Sequence, residues 1–368
     1  MKITIFLGAG ASVPFGKPTT KELKENLLKK YEHKSPYPFL RYLLEYKDHE
    51  DIEHILQTIK DIQFFKNSFG GNFFNQPSFQ IYFHILGSQI PYQTFVNELN
   101  PIQELLENEV FQNYSWKHKT NVDDDQALRD MFLPIFDRLR KSSEKLNVFT
   151  TNYDQAIEEF CSLNNEFRCV DGFKFDPDSR RLLWNKGDYT YFDKNTDSVN
   201  VYLYKLHGSL NWKLHRKYGP ERTTFESKPT DEKYEEDFLI YPTLSPKDGA
   251  KKEPYKTIRK HFSQEMSKSD GCIVIGFSFR DQHLNEIFTE FVKNGKALIV
   301  ISPSSVENVC KNLLDEPIPE YDKNRINTFP SKNYSRISCI PQPISKTNVK
   351  TLIDLSVNLV DGLLKKPT

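Results

Sequence analysis

The sequence predicts an α/β fold: a doubly wound parallel sheet with a helical insertion after its first strand and helix. Three observations carry that prediction. Short apolar runs at Ile3 to Leu7, Leu146 to Phe149, Val201 to Leu206, Gly271 to Gly276 and Lys296 to Ile301 read as strands buried on both faces. Amphipathic stretches alternate with them, as in βαβ units. Several runs end in polar, glycine-bearing motifs, and open sheets of this Rossmann-like kind bind ligands at the carboxyl ends of their strands.

The elements are taken in chain order. After the first strand and its glycine turn, a helix is expected from about Thr20 to Tyr31, with Thr19 or Thr20 as N-cap and Glu22 in its first turn. Residues 35–142 lack repeated strand signals and read as the helical insertion. Ile52, Ile55, Leu56, Ile59 and Ile62 make one helical stripe, and Leu128, Met131, Phe132, Ile135 and Leu139 another within Asp124 to Leu139. The stretch 68–78, with Gly70, Gly71 and Pro77, reads as a loop inside the insertion. The sheet resumes at Leu146, with a helix from Asp154 to Leu163 and then a short strand from Glu166 to Val170. Residues 171–200 read as a polar excursion with a small β-meander, and 213–237 as a solvent-exposed loop or hairpin containing Pro220 and Pro229; Phe238 to Tyr241 is apolar again. A helix near Asp281 to Lys293 separates the next two strands, and a strand from Arg336 to Ile340 with a helix from Lys346 to Leu364 closes the chain. All 368 residues are read as one domain carrying this insertion.

Composition narrows the function. Lysine plus arginine equals aspartate plus glutamate, 50 against 50, so net charge supplies no drive towards nucleic acid or a membrane surface. No apolar stretch approaches a membrane span, and the chain opens directly on a strand, so a cytoplasmic protein without a signal peptide is expected. Cys161, Cys169, Cys272, Cys310 and Cys339 form no Cys-x-x-Cys pair, which argues against a disulfide framework and a four-cysteine zinc site. His207, His215 and His283 are too scattered to suggest a metal.

The strand-end motifs carry the chemistry. In Gly8-Ala9-Gly10-Ala11-Ser12, glycines let backbone amides approach a pyrophosphate at a helix N-terminus, and Ser12 could donate to a phosphate. Val13 replaces the third glycine of the dinucleotide fingerprint, so a plain tight turn also explains the motif. In Thr150-Thr151-Asn152-Tyr153-Asp154, the amide of Asn152 could orient a ribose hydroxyl or a water, and Asp154 could accept from a carboxamide or ribose; either could instead cap the next helix. In Lys205-Leu206-His207-Gly208-Ser209, an imidazole at a strand end is a candidate for taking a proton from a hydroxyl, or a structural histidine. Gly276-Phe277-Ser278-Phe279-Arg280-Asp281 forms a further motif, in which Ser278 could reach phosphate or ribose and Asp281 could cap a helix or bind ribose. Ser302-Pro303-Ser304 ends the next strand, where an adenosine half would sit.

Together these motifs resemble the sirtuin-like (Sir2) family, particularly its divergent bacterial branch. Gly8 to Ser12 is similar to the family's glycine turn, and Thr151 to Asp154 to its threonine-glutamine-asparagine-x-aspartate motif, with Thr151 where glutamine is usual. Lys205 to Ser209 matches the histidine-glycine element, and Gly276 to Asp281 the later glycine-x-serine loop. The resemblance implies cleavage of the nicotinamide–ribose bond of NAD, with Asn152, Asp154 and His207 catalytic and NAD bound by Gly8, Ala9, Gly10, Ser12, Thr151, Gly276, Ser278, Asp281 and Ser302. Asn152 would orient the ribose or attacking water, Asp154 would contact the nicotinamide end, and His207 would act as base towards ribose hydroxyls.

Two departures bear on the acceptor of the cleaved ribose. The family's deacylases carry a four-cysteine zinc module after the histidine, and this chain has no cysteine between Cys169 and Cys272. Their segment after the glycine turn contains aspartate, phenylalanine and arginine, where Gly16-Lys17-Pro18-Thr19-Thr20 stands here. Water is then the expected acceptor, giving an NAD hydrolase that needs no zinc. Bacterial members of this character are antiphage effectors, so the resemblance also implies restraint by homo-oligomerisation or by a co-encoded partner such as a HerA-like ATPase or an Argonaute-like protein. An NAD-dependent deacylase or ADP-ribosyltransferase, and a non-catalytic NAD or ADP-ribose scaffold, remain the alternative readings.

Overall fold

The computed structural model describes residues 2–32, 35–47, 49–68, 92–116, 122–141, 145–190, 198–223, 234–235, 252–303, 305–314, 327–329 and 336–364. The chain divides into two compact units, one built from Met1–Lys17 and most of the chain beyond Tyr114, the other from Pro18–Asn113.

The larger unit is built on a sheet whose strands are β1 (Ile3–Leu7), β2 (Lys145–Thr150), β3 (Phe167–Val170), β6 (Val199–Lys205), β10 (Gly271–Ile275), β11 (Ala297–Ile301), β12 (Asn327–Phe329) and β13 (Arg336–Ile340). Their spatial order is β12-β13-β11-β10-β1-β2-β6-β3. All neighbours run parallel except β12, which is antiparallel to β13. Strand order therefore departs from chain order, and β10, β1, β2 and β6 become neighbours. Leu7 pairs with Ile275 on one side and Thr150 on the other, and Thr150 pairs with Lys205. Four of the motifs thus leave one continuous edge of the sheet.

Side chains alternate across β1, which explains the uninterrupted apolar run: a strand covered on both faces must be apolar on both. Ile3, Ile5 and Leu7 join a core with α5 (Val122–Arg140), α6 (Ala156–Leu163) and α10 (Val349–Leu364), through residues such as Phe132, Phe136, Phe160 and Ile353. Phe6 faces the other way, towards α7 (Tyr255–Lys268), α8 (Gln282–Lys293) and α9 (Ser305–Leu313), where its ring packs on Phe262, Phe277 and Phe288.

The excursions 171–200 and 213–237 do not stay separate. Strands β4 (Phe173–Asp176), β5 (Arg181–Trp184), β7 (Trp212–His215), β8 (Gly219–Arg222) and β9 (Tyr234–Glu235) form one antiparallel sheet in the order β4-β5-β8-β7-β9. Part of the segment expected to be solvent-exposed is buried: Lys213, His215 and Glu221 are all under 7% exposed. Glu221 is held by Arg181 at 2.6 Å and by the Tyr234 hydroxyl at 2.6 Å, partners supplied by other strands.

The smaller unit is helical: α1 (Thr20–Tyr31), α2 (Pro38–Glu45), α3 (Ile52–Ser68) and most of α4 (Tyr92–Tyr114). Thr19 caps α1 through a reciprocal pair with Glu22, as the sequence suggested. The stripe Ile52, Ile55, Leu56 and Ile59 is buried. This unit takes in α1, and α5 belongs to the larger unit, so its limits differ from the expected 35–142 insertion. Residues 69–78 of the expected loop 68–78, the apolar run Phe238 to Tyr241, and Ser304 lie outside the described residues.

Two glycine turns meet where β1 and β10 end. A Cβ on Gly8 would sit 2.6 Å from the Phe277 Cα, one on Gly10 would sit 2.9 Å from the Gly276 Cα, and one on Gly276 would collide with the Ala11 amide nitrogen. Gly276 also has a φ of 65°, in the left-handed region. Gly16 shares that region, with a φ of 74°, but has open space around its missing Cβ. Gly16→Ala is therefore expected to lower stability by about 1 kcal/mol, and Gly276→Ala by more than about 3 kcal/mol because strain and overlap combine. Urea denaturation of the two variants measures the difference.

Candidate functional site

The turn after β1 is a 3-10 segment, Ala9–Phe15, containing Pro14. A tight turn thus directly follows the glycines, and the helix expected from about Thr20 to Tyr31 is α1. The Gly8 amide donates to the Ile275 carbonyl at 2.9 Å, the Gly10 amide to the Gly276 carbonyl at 2.9 Å, and the Ala11 amide to the Gly8 carbonyl at 2.8 Å. The glycines first serve to dock one turn on the other, and these three amides are committed within the protein.

The loop after β2 is fixed by a directional chain of hydrogen bonds. The Asn152 amide nitrogen takes Thr150 Oγ1 as acceptor at 3.0 Å. The Asn152 side-chain Nδ2 donates to the Gly8 carbonyl at 3.0 Å and to Ser12 Oγ at 2.9 Å. Ser12 Oγ donates onward to Asp154 Oδ2 at 2.5 Å, and Asp154 Oδ1 accepts from the Ala156 amide at 3.0 Å. That last bond explains why α6 starts at Ala156 rather than Asp154. A carbonyl can only accept, so the Gly8 contact fixes which end of the Asn152 amide is NH2. Both of its donors are then used. Asn152 Oδ1 is left buried without a protein partner, an acceptor awaiting a donor. Thr151 is half-buried, and its amide donates to the Leu7 carbonyl at 3.1 Å.

Two residues to which the sequence gave no role stand beneath this loop. Lys205, the last residue of β6, is 1% exposed and donates from Nζ to the Asp154 carbonyl at 2.5 Å and to Ser209 Oγ at 2.7 Å. Its Nζ also lies 2.9 Å from Oε1 of Glu158, on α6. Burial pushes the Glu158 carboxyl above its ordinary pKa, while the Lys205 ammonium pulls it back down. The ammonium ties the loop after β2 to the loop after β6, where Ser209 Oγ further contacts the Tyr153 carbonyl at 3.3 Å. A lysine ending an otherwise apolar buried strand, with a glutamate on an apolar helix, was the available signal. Removing one partner strands the other charge, so Lys205→Met is expected to lose about 3–5 kcal/mol. Adding Glu158→Leu should restore part of that loss, and a double-mutant cycle in urea measures the coupling.

His207 lies two residues beyond the end of β6. Its Nε2 lies 3.1 Å from Asp281 Oδ2, and both side chains are largely buried, at 6% and 12% exposure. His207 Nδ1 is buried without a protein partner. Asp281 also caps α8, its Oδ1 accepting from the amides of His283 at 3.0 Å and Leu284 at 3.2 Å. Burial raises the Asp281 pKa, but the His207 hydrogen bond and charge, the Leu284 amide and Arg259 outweigh it, so this carboxyl titrates below the ordinary aspartate range. A depressed carboxyl pKa adds stability above the ordinary value that disappears as pH falls through the lowered one. Asparagine caps helices as well as aspartate does. The stability gap between wild type and Asp281→Asn is thus expected to narrow between neutral pH and about pH 3, as urea midpoints at both ends would show.

The structure joins Gly8, Gly10, Ser12, Asn152, Asp154 and Gly276 in one network, and pairs His207 with Asp281. Ser278 accepts from Arg280 Nε at 3.0 Å. Ser302 ends β11, one strand beyond β10, with its amide on the Ile340 carbonyl at 3.2 Å. Beside the network lies a cavity with apolar walls from Ala11, Phe15 and Phe132 and a polar side from Ser12, Asn152 and Asp154. Among the described residues, no group of three or more His, Cys, Asp or Glu side chains could hold a metal ion, and no helix is long and apolar enough to cross a membrane.

Residues 146–318 match the family described as SIR2-like domain. That span contains every motif above except the Gly8–Ser12 turn, which β1 brings in between β10 and β2. Among solved structures, a triple mutant of a Sir2 homologue in complex with 2'-O-acetyl ADP-ribose matches with a TM-score of 0.41 at 13% identity, covering 100% of this chain and 94% of that one. A Sir2 homologue–NAD complex matches with a TM-score of 0.41 at 13% identity over 98% and 90%. A Sir2–p53 peptide–NAD+ structure gives 0.40 at 11% identity over 98% and 93%. No curated protein matches the chain.

Proposed function

We propose, from the match of residues 146–318 to the SIR2-like domain family, that this chain hydrolyses the nicotinamide–ribose bond of NAD, giving ADP-ribose, nicotinamide and a proton. The observation that carries the reading is the pair of unpartnered buried atoms, Asn152 Oδ1 and His207 Nδ1, at the ends of neighbouring strands. Buried polar atoms are almost always bonded, and a ligand rich in hydroxyls would satisfy both of these acceptors. A ribose supplies them.

In this reading the nicotinamide carboxamide donates to the remaining lone pairs of Asp154. Asn152 Oδ1 accepts from a ribose hydroxyl or from the attacking water. His207 Nδ1 accepts the proton of a ribose hydroxyl as positive charge develops on the sugar. The carbon–nitrogen bond breaks with its electron pair going to the ring nitrogen, so a pyridinium leaves as neutral nicotinamide. Water adds to the anomeric carbon and gives up a proton. Such chemistry depends on oriented dipoles around a developing cation more than on a strong nucleophile. The network of Asn152, Ser12 and Asp154 provides that orientation in advance.

Water as acceptor is supported by the sequence, which has no cysteine between Cys169 and Cys272 to build a zinc module beside an acyl-lysine channel. The protein is, in the same proposal, an antiphage effector that depletes NAD when triggered and is restrained in a homo-oligomer or by a co-encoded partner. Support for that part is the resemblance of its motifs.

Asn152→Ala and His207→Ala are each expected to lower nicotinamide release by at least about 10²-fold while leaving the protein folded, as far-UV circular dichroism checks. The assay is run with and without the genomic neighbour and phage DNA. Wild-type turnover in both variants would remove the proposed site, and label from NAD appearing on peptide or protein would replace hydrolysis by transfer.

A further inference from the structure

The loop between β10 and α8 delivers Asp281 in a strained way. Phe279 has a φ of 56°, in the left-handed region that bulky residues avoid. Its ring is fully buried, packed edge-on against Phe277 at 5.0 Å and Phe288 at 5.2 Å. Its carbonyl accepts from two side-chain amides, Asn285 Nδ2 at 2.5 Å and Asn312 Nδ2 at 3.1 Å. Strain of this kind persists only where the surroundings over-determine the backbone, and it gathers at functional sites. Capping α8 gives no reason for it, because an aspartate reaches the first helical amides from any ordinary extended entry. Two residues beyond the strained turn stands the carboxylate whose second oxygen meets His207.

A carboxylate only accepts, so the His207 nitrogen that faces it carries the proton. In the neutral ring the other nitrogen then holds the lone pair. We propose that Asp281 is a positioning residue for His207: it holds the imidazole with hydrogen on Nε2, leaving Nδ1 as the base that meets a ribose hydroxyl of the dinucleotide. This assignment rests on the NAD-cleaving reading above. It moves Asp281 from contact with ribose, as the motif alone suggested, to support of the histidine. When Nδ1 takes the hydroxyl proton, the ring becomes an imidazolium whose charge is balanced by Asp281 across the existing bond. Arg259, on α7, is a further charged group that acts on Asp281.

Two substitutions separate positioning from capping. Asp281→Asn keeps the cap, but with its one oxygen on the helix amides it loses the charge and turns an NH2 donor towards the ring. Asp281→Ser keeps a good cap but is too short to reach the ring. Positioning predicts that Asp281→Ser, while still folded, loses kcat for nicotinamide release by on the order of 10²-fold, with KM for NAD little changed. Asp281→Asn should lose at least as much, because an NH2 facing Nε2 leaves the hydrogen of the neutral ring on Nδ1, and the acid limb of the remaining activity should move to lower pH. Wild-type kcat and pH profile in both folded variants would overturn the proposal, leaving Asp281 as a cap alone.

A second readout does not depend on turnover. In full-length protein labelled with 15N-histidine, with His207→Gln to assign the signal, Nδ1 of the neutral ring should show the shift of an unprotonated nitrogen, and Asp281→Ser should lose that preference. A protonated Nδ1 in the neutral wild-type ring would overturn the pairing even if NAD is cleaved. An unprotonated Nδ1 in a protein that releases no nicotinamide with any neighbour present would uphold the pairing and overturn the NAD reading instead.

Discussion

The docking of two backbone turns without side chains between them is the constraint on which the site depends. Gly8 and Gly10 on one turn meet Gly276 on the other at distances that exclude any Cβ. Each turn ends a strand of the central sheet, so their contact fixes how β1 and β10 finish relative to each other. The loops that leave those strands inherit the constraint. The Gly8 carbonyl is oriented by the contact and in turn orients the Asn152 amide. From Gly276 the chain has only four residues before Asp281 must reach His207, and the strained Phe279 lies among them. The pyrophosphate-approach explanation for such glycines is therefore incomplete here: packing alone already demands them.

A second constraint is electrostatic. Lys205 is a buried ammonium held by a carboxylate, a carbonyl and a hydroxyl, and such an arrangement stabilises little compared with an apolar replacement of equal volume. What it supplies is definition. The loop after β2 carries Asn152 and the loop after β6 carries His207, and neither is long enough to fold on its own. One cation bonded to both holds them in a single arrangement. The same burial that makes the pair intolerant of single changes suits it to this purpose.

Much of this was legible locally. Strands buried on both faces announce themselves as unbroken apolar runs, Thr19 and Glu22 form the cap their spacing suggests, and the polar motifs do end adjacent strands. What escaped was long-range or diluted. Nothing in residues 171–200 or 213–237 specifies that they pair with one another, because strand pairing depends on partners remote in the chain. The helix α7 places Tyr255, Ile258, Phe262 and Met266 at helical spacing, but intervening lysine, arginine and serine blur its stripe. Glu158 resembles any surface glutamate until Lys205 is seen opposite. The bond between His207 and Asp281 spans 74 positions, beyond the reach of any motif.

Direction, rather than proximity, gives the site its chemical character. The hydrogen bonds run one way, from Asn152 Nδ2 to Ser12 Oγ and from Ser12 Oγ to Asp154 Oδ2. Because Asp154 is the terminal acceptor and Gly8 offers a second one, both hydrogens of the Asn152 amide are used and its oxygen is left as an acceptor. An oxygen there cannot donate to a phosphate or carbonyl; it can only receive from a hydroxyl, an amide or water. On the other side, a histidine whose Nε2 is taken by a carboxylate offers a lone pair as well. Two such acceptors are a poor match for an anionic head group. They suit a polyhydroxylated, positively charged one, and a ribose bearing a pyridinium is such a group.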